Sequence, residues 1–191
     1  MVLYFCLGYF TLNFLNLHRS YYFDVGFSFE QQIPFFPIAI LGYTLVFFTL
    51  IWMVILISEK KLFQKAIIAA FAVSSVHFIL FYLIPVKMNF RPHVDSLGGS
   101  FWDPLVKLYF IIDQPTNCFP SLHVAYPTMC TWQIWHAVPK YRFHFLLMTV
   151  IVALSVVLVK QHYIADAVAG TCAAMLICWI VDKFFLRGKK T

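Results

Sequence analysis

Three short clusters gather residues whose types and spacing could do chemistry together: Arg91-Pro92, Pro120-Ser121-Leu122-His123, and His162-Tyr163-Ile164-Ala165-Asp166. His162 and Asp166 stand four apart, so on a helix they share a face and can hydrogen-bond. A carboxylate held against one imidazole nitrogen fixes the tautomer and leaves the other nitrogen free to attack. Pro120 fits the first turn of a helix, where its missing N–H costs nothing. The N–H groups that follow, around Ser121, meet the positive end of the helix dipole and make a ready anion site. His123 sits in that same first turn. Arg91, Lys87 and Lys160 add cations at the same depth. Two histidines, a carboxylate, cations and a helix N-terminus together make a phosphoryl-transfer site.

Each residue taken singly has a plainer role. Asp166 could pair with Lys160, His123 could cap its helix, His162 could be a loop histidine, and Arg91 could be a snorkelling anchor. Ionisable groups at the edge of a span are costly and usually functional, and the combination outweighs the separate readings. Two histidines and a carboxylate could also form a facial triad for iron, but the surrounding cations would repel a dication, so no metal and no other cofactor is expected. His77, in mid-span, is expected to be a neutral packing residue. His136 and His144 flank a turn, and His18 and His93 lie in loops.

The elements that must position these clusters are dictated by composition. Of the residues, 62% are hydrophobic and only 12% charged, with mean hydropathy +0.81, against about 25% charged in a soluble domain. Most of the chain is therefore solvated by lipid. Crossing ~30 Å of hydrocarbon takes about 20 apolar residues as helix. Ile38–Ile57, Ala66–Val86, Ser121–Val138, Phe143–Val159 and Tyr163–Val181 meet or approach that length. Val2–Leu17 is shorter and carries Asn13 and Asn16. It lacks the basic start and small-residue cleavage site of a signal peptide, and is expected to be the first span. The expected fold is all-α, an integral membrane six-helix bundle forming a single catalytic domain over 1–191, with a short interfacial helix at Trp102–Ile112. The net charge of +6 comes from small clusters between apolar runs, not from the basic stripe of a nucleic-acid binder, so no nucleic-acid partner is expected. The five cysteines show no metal-ligand spacing, and four lie in apolar spans as small hydrophobes.

Orientation follows from counting basic residues in alternate loops. Nine (Lys60, Lys61, Lys65, Lys140, Arg142, Lys183, Arg187, Lys189 and Lys190) fall on one side, and five (Arg19, Lys87, Arg91, Lys107 and Lys160) on the other. The positive-inside rule makes the first side cytoplasmic, with both termini inside. The outer side owns the two long connections, His18–Pro37 and Lys87–Phe119, and long loops in a compact domain are usually functional. The count never used the three clusters, yet it places all three at that outer face. Compactness and the absence of an N-x-S/T sequon point to a bacterial inner membrane, with the site periplasmic.

The chain resembles the type 2 phosphatidic acid phosphatase superfamily, whose motifs are Lys-x6-Arg-Pro, Pro-Ser-Gly-His and Ser-Arg-x5-His-x3-Asp. Arg91-Pro92 is similar to the end of the first, Pro120-Ser121-Leu122-His123 to the second, and Ser155 with His162 and Asp166 to the third. Ile84 stands where the first motif has lysine, Leu122 replaces the glycine, and Val156 stands in place of arginine. Lys87 and Lys160 are the candidate substitutes. The string Lys160-Gln161-His162-Tyr163 resembles the branch of inositol phosphorylceramide and sphingomyelin synthases. The resemblance implies that His162 attacks phosphorus, Asp166 orients it, and His123 protonates the leaving alkoxide. It also implies that Arg91, Lys87, Lys160 and Ser121 hold the phosphate oxygens, without metal. The substrate would be a phospholipid or polyprenyl phosphate hydrolysed by water. The alternative is head-group transfer to an acceptor alcohol. A transporter or inactive scaffold fits less well, because transporters place polar groups near the midplane.

Overall fold

In hydrocarbon a backbone must satisfy its own polar groups, and for long apolar runs the helix does this. The computed structural model, described over residues 1–187, contains seven α-helices and no β-strand among the described residues. These are α1 (Val2–Leu17), α2 (Ile40–Leu56), α3 (Lys60–Leu83), α4 (Asp103–Ile112), α5 (Leu122–Ala137), α6 (Arg142–Leu158) and α7 (Ile164–Arg187). Lys189 and Lys190, counted above for orientation, lie outside the described residues.

Four helical stretches are long and apolar enough to cross a membrane: Pro37–Leu56, Lys60–Leu83, Pro139–Leu158 and Ile164–Phe185. The protein is an integral membrane protein. The all-α expectation holds, but the expected count of six was not reached on length alone. The 16-residue α1 and α5 fall short of a full span, and α4 brings the helices to seven. Helix α3 begins six residues before the expected Ala66 because Lys60, Lys61 and Lys65 extend it past the apolar run, and Lys65 pairs with Asp182 of α7 at 2.8 Å. It stops at Leu83 because Pro85 follows, and the residue before a proline avoids helical backbone.

The hub is α5, which packs against α2, α3, α6 and α7. Its two threonines are buried and paired: Thr131 with Thr149 at 2.8 Å, and Thr128 onto the Val124 carbonyl. Small residues let the other helices approach closely. A side chain at Gly170 of α7 would collide with the backbone of Ser121, and one at Gly42 of α2 would meet Ser155 of α6. Outward faces are apolar throughout, with Phe48, Ile51, Ile55, Ile79, Leu147 and Leu154 all exposed. Helix α4 divides the same way: Val106 and Phe110 turn inward while Leu108, Ile111 and Ile112 are exposed.

Both long connections gather at one end. Phe23 bridges Val86, the Phe36 N–H donates to Leu158, and the Met88 N–H donates to Pro115. Asn16 of α1 donates to Phe81 O and to Asn117, Thr116 donates to Asn13, and Asn117 returns a bond to the Tyr9 carbonyl. The asparagines that lower the hydropathy of α1 thus fasten it to the loop leading into α5.

Candidate active site

His162 lies in the five-residue connection between α6 and α7. Lys160 there adopts φ +55°, a left-handed conformation that costs a non-glycine residue free energy. The turn lets the N–H groups of Gln161 and His162 both donate to the Val156 carbonyl, at 2.9 and 3.1 Å. The imidazole Nδ1 faces the Cys118 carbonyl at 3.0 Å and Asp166 Oδ2 at 3.4 Å. Both neighbours are acceptors, so Nδ1 carries the hydrogen and Nε2 keeps a lone pair. Asp166 is fully buried; its Oδ2 also accepts the Tyr163 N–H at 2.9 Å, and its backbone carbonyl accepts the Ser121 N–H at 3.0 Å. That last bond, beside Gly170, joins the start of α5 to the start of α7.

His123, on the first turn of α5, points its Nδ1 at His162 Nε2 across 3.4 Å. Its Nε2 lies 2.6 Å from the Tyr43 hydroxyl and 3.7 Å from Asp113 Oδ2. Four residues on is Pro127, inside the helix, which has no N–H to give the His123 carbonyl. Ser121 caps the helix, and its hydroxyl is buried without a partner. Arg91 stacks its guanidinium 3.6 Å over the Phe110 ring, and Nη1 donates to the Asp113 carbonyl at 2.9 Å. Its Nη2 is buried and unpartnered. Burial pulls Arg91 below its usual value, and the carboxylate of Asp113 pulls it back up; a guanidinium so placed keeps its charge. Buried donors without acceptors are uncommon and call for a ligand or water. A buried arginine N–H suits an anion, and so does a serine hydroxyl at a helix N-terminus.

The residues singled out from the sequence therefore divide. His123, His162, Asp166 and Ser121 are joined by direct contacts, and Arg91 reaches the same network through Asp113. Lys160 and Lys87 make no hydrogen bond or ion pair with these residues. Lys160 is buried, and its ammonium donates to the Glu30 carbonyl at 2.8 Å. Burial lowers its pKa and nearby Glu30 raises it. The Glu30 carboxylate in turn accepts the Ile164 N–H at 3.2 Å and the Phe27 N–H at 3.2 Å, so the first long connection clamps the turn that carries His162. Lys87 lies 5.6 Å over the Tyr22 ring.

Sequence reasoning missed the other half of the network. Asp113, at the end of α4, accepts hydrogen bonds from Tyr9, from Tyr43 at 2.5 Å and from Gln161 at 3.1 Å. Tyr9 and Tyr43 sit in apolar runs, where a hydroxyl leaves no periodic trace. Asp113 belongs to none of the three clusters and follows an apolar run as a lone loop carboxylate.

Cys118, His162 and Asp166 place three possible metal ligands within 4.8 Å. The donor set fits poorly. The Cys118 thiol donates to the Pro115 and Gln161 carbonyls, and His162 Nδ1 donates to the Cys118 carbonyl, so two of the three donor atoms carry hydrogen where a metal needs a lone pair. The iron triad of His123, His162 and Asp166 fits no better, because His123 and Asp166 lie against opposite nitrogens of His162 and do not converge on one point. All five cysteines are free.

A family model described as the PAP2 superfamily matches residues 38–180, from the entrance of α2 to late in α7. No curated protein and no solved structure matches the chain.

Proposed function

The chain belongs to the PAP2 superfamily and has a phosphatase- or phosphotransferase-type function, and on that premise we propose that it hydrolyses a lipid phosphate monoester or polyprenyl pyrophosphate through a phosphohistidine on His162. The observation that carries this reading is the orientation of His162: Nδ1 is occupied by Asp166 and the Cys118 carbonyl, and Nε2 faces the second histidine. His162 Nε2 attacks phosphorus, the bond to the leaving oxygen breaks, and His123 Nδ1 gives that oxygen its proton. His123, now neutral, takes a proton from water as the water oxygen attacks phosphorus, and the N–P bond breaks to release phosphate. Arg91 Nη2, the Ser121 hydroxyl and the N–H groups opening α5 would hold the non-reacting oxygens. Preorganised donors of this kind contribute roughly 3–4 kcal/mol each in the transition state. The reaction asks for no metal.

In this reading six helices cross the bilayer, α1 and α5 included, both termini are cytoplasmic, and the site is at the periplasmic face of a bacterial inner membrane. Lys87 and Lys160 would act on phosphate only from outside the hydrogen-bonded set. The second reading, head-group transfer to an acceptor alcohol, is favoured by the Lys160-Gln161-His162-Tyr163 string and by Val156 in the position of the family arginine.

The experiment is phosphate release by the purified protein in detergent from phosphatidate, phosphatidylglycerophosphate and polyprenyl pyrophosphate, with chelator and vanadate arms. Chelator-resistant, vanadate-sensitive release that disappears in His162→Ala is expected. Release at the wild-type rate by His162→Ala would refute the mechanism. Turnover that appears only when an acceptor alcohol is added would select the transferase.

A further inference from the structure

Asp113 is buried, yet it belongs to none of the three motifs. Its carboxylate takes the Tyr9 hydroxyl on Oδ1, and the Tyr43 hydroxyl (2.5 Å) and Gln161 amide (3.1 Å) on Oδ2. Tyr43 has one proton, and the carboxylate, which can only accept, claims it. The Tyr43 oxygen therefore meets His123 Nε2, 2.6 Å away, as an acceptor, and that nitrogen must carry hydrogen. The remaining nitrogen, Nδ1, is the one 3.4 Å from His162 Nε2. With a lone pair on each, the two nitrogens would repel; a proton on Nδ1 turns the contact into a hydrogen bond. The ring would then be an imidazolium, which burial opposes and Asp113 Oδ2 at 3.7 Å favours.

We propose that Asp113, acting through the Tyr43 hydroxyl, is the positioning residue for the acid–base histidine: it fixes hydrogen on His123 Nε2 and so reserves Nδ1 for the proton given to the leaving group. The proposal rests on the reading of His162 as nucleophile and His123 as acid. It adds to the motifs a carboxylate–tyrosine–imidazole chain drawn from α4, α2 and α5. A histidine assisted in this way suits substrates whose leaving group is a basic alkoxide. Asp113 could otherwise serve only to pin α4 against α1 and α2, and that role would be blind to the leaving group.

The test compares Tyr43→Phe and Asp113→Asn with wild type and His162→Ala, on phosphatidate and on p-nitrophenyl phosphate, in the full chain in detergent. Phosphatidate departs as an alkoxide and needs an acid; nitrophenolate needs little help. General acid catalysis contributes typically 10²–10⁴-fold. Tyr43→Phe and Asp113→Asn are expected to lose about 10²-fold or more on phosphatidate and under about 10-fold on the nitrophenyl ester. Equal losses on both, with His162→Ala inactive, overturn the proposal and leave the proposed function standing. Release that persists in His162→Ala overturns both. Nitrogen-15 spectra of histidine-labelled wild type give a second readout that needs no variant: hydrogen on Nε2 of His123 is expected, and a neutral ring carrying its hydrogen on Nδ1 overturns the proposal.

Discussion

At the scale of single residues, the site's chemistry depends on which polar atoms are satisfied and which are left open. Arg91 spends one nitrogen on the Asp113 carbonyl and its flat face on Phe110, leaving Nη2 open. A lysine keeps the charge but has neither the second fork nor the stacking plane. Arg91→Lys is therefore expected to reduce kcat/KM by about 10²–10³ and to weaken vanadate inhibition in parallel. Steady-state kinetics with a vanadate titration checks both, and unchanged vanadate affinity would remove Arg91 from the proposed phosphate site. Residue types at their spacing made His123, His162, Asp166, Ser121 and Arg91 legible in the sequence, because ionisable groups in an apolar chain are conspicuous. The same reasoning promoted Lys160 and Lys87 for their charge. Lys160 instead finds the Glu30 carbonyl, a partner 130 positions away that only the folded chain brings near. Tyr9 and Tyr43 went unnoticed because a tyrosine among phenylalanines reads as one more apolar residue.

At the scale of elements, two junctions hold the geometry. The Ser121 N–H reaches the Asp166 carbonyl, and Gly170 lets α7 come close enough for that bond. Gly170→Ala puts a methyl well inside van der Waals contact distance of the Ser121 carbonyl oxygen. Overpacking of this kind costs typically 1–3 kcal/mol. Because the backbone that must yield carries His123 at one end and Asp166 at the other, turnover should fall with stability. Gly98 and Gly99 have open space where a Cβ would go, so Gly98→Ala should change neither. Thermal unfolding in detergent beside phosphate release measures both, and a stable, active Gly170→Ala would show that the seam can yield. Helix positions were largely legible. Val2–Leu17 is found at its expected bounds, and the helix expected at Trp102–Ile112 starts one residue late, at Asp103. The miss at the start of α3 has a plain cause: hydropathy marks where the apolar run ends, whereas helix propensity carries the helix on through Lys60–Lys65.

At the scale of the whole molecule, both long connections and all three clusters lie at one end, and the Lys65–Asp182 pair, which also accepts the Trp132 indole N–H at 2.8 Å, lies toward the other. On the charge count we propose that the first end faces outward. A cysteine placed at Ser96 is expected to react with a membrane-impermeant maleimide on intact cells, and one at Lys140 only after permeabilisation. The reverse pattern would invert the topology. The exposed apolar faces of α2, α3 and α6 have a kinetic consequence. A protein clothed in such a belt meets a lipid-borne substrate by diffusion in two dimensions, so the governing concentration is molecules per unit area of bilayer. Diluting substrate with inert lipid should slow the reaction in proportion, whereas adding water to the same vesicles should leave the rate of each protein unchanged.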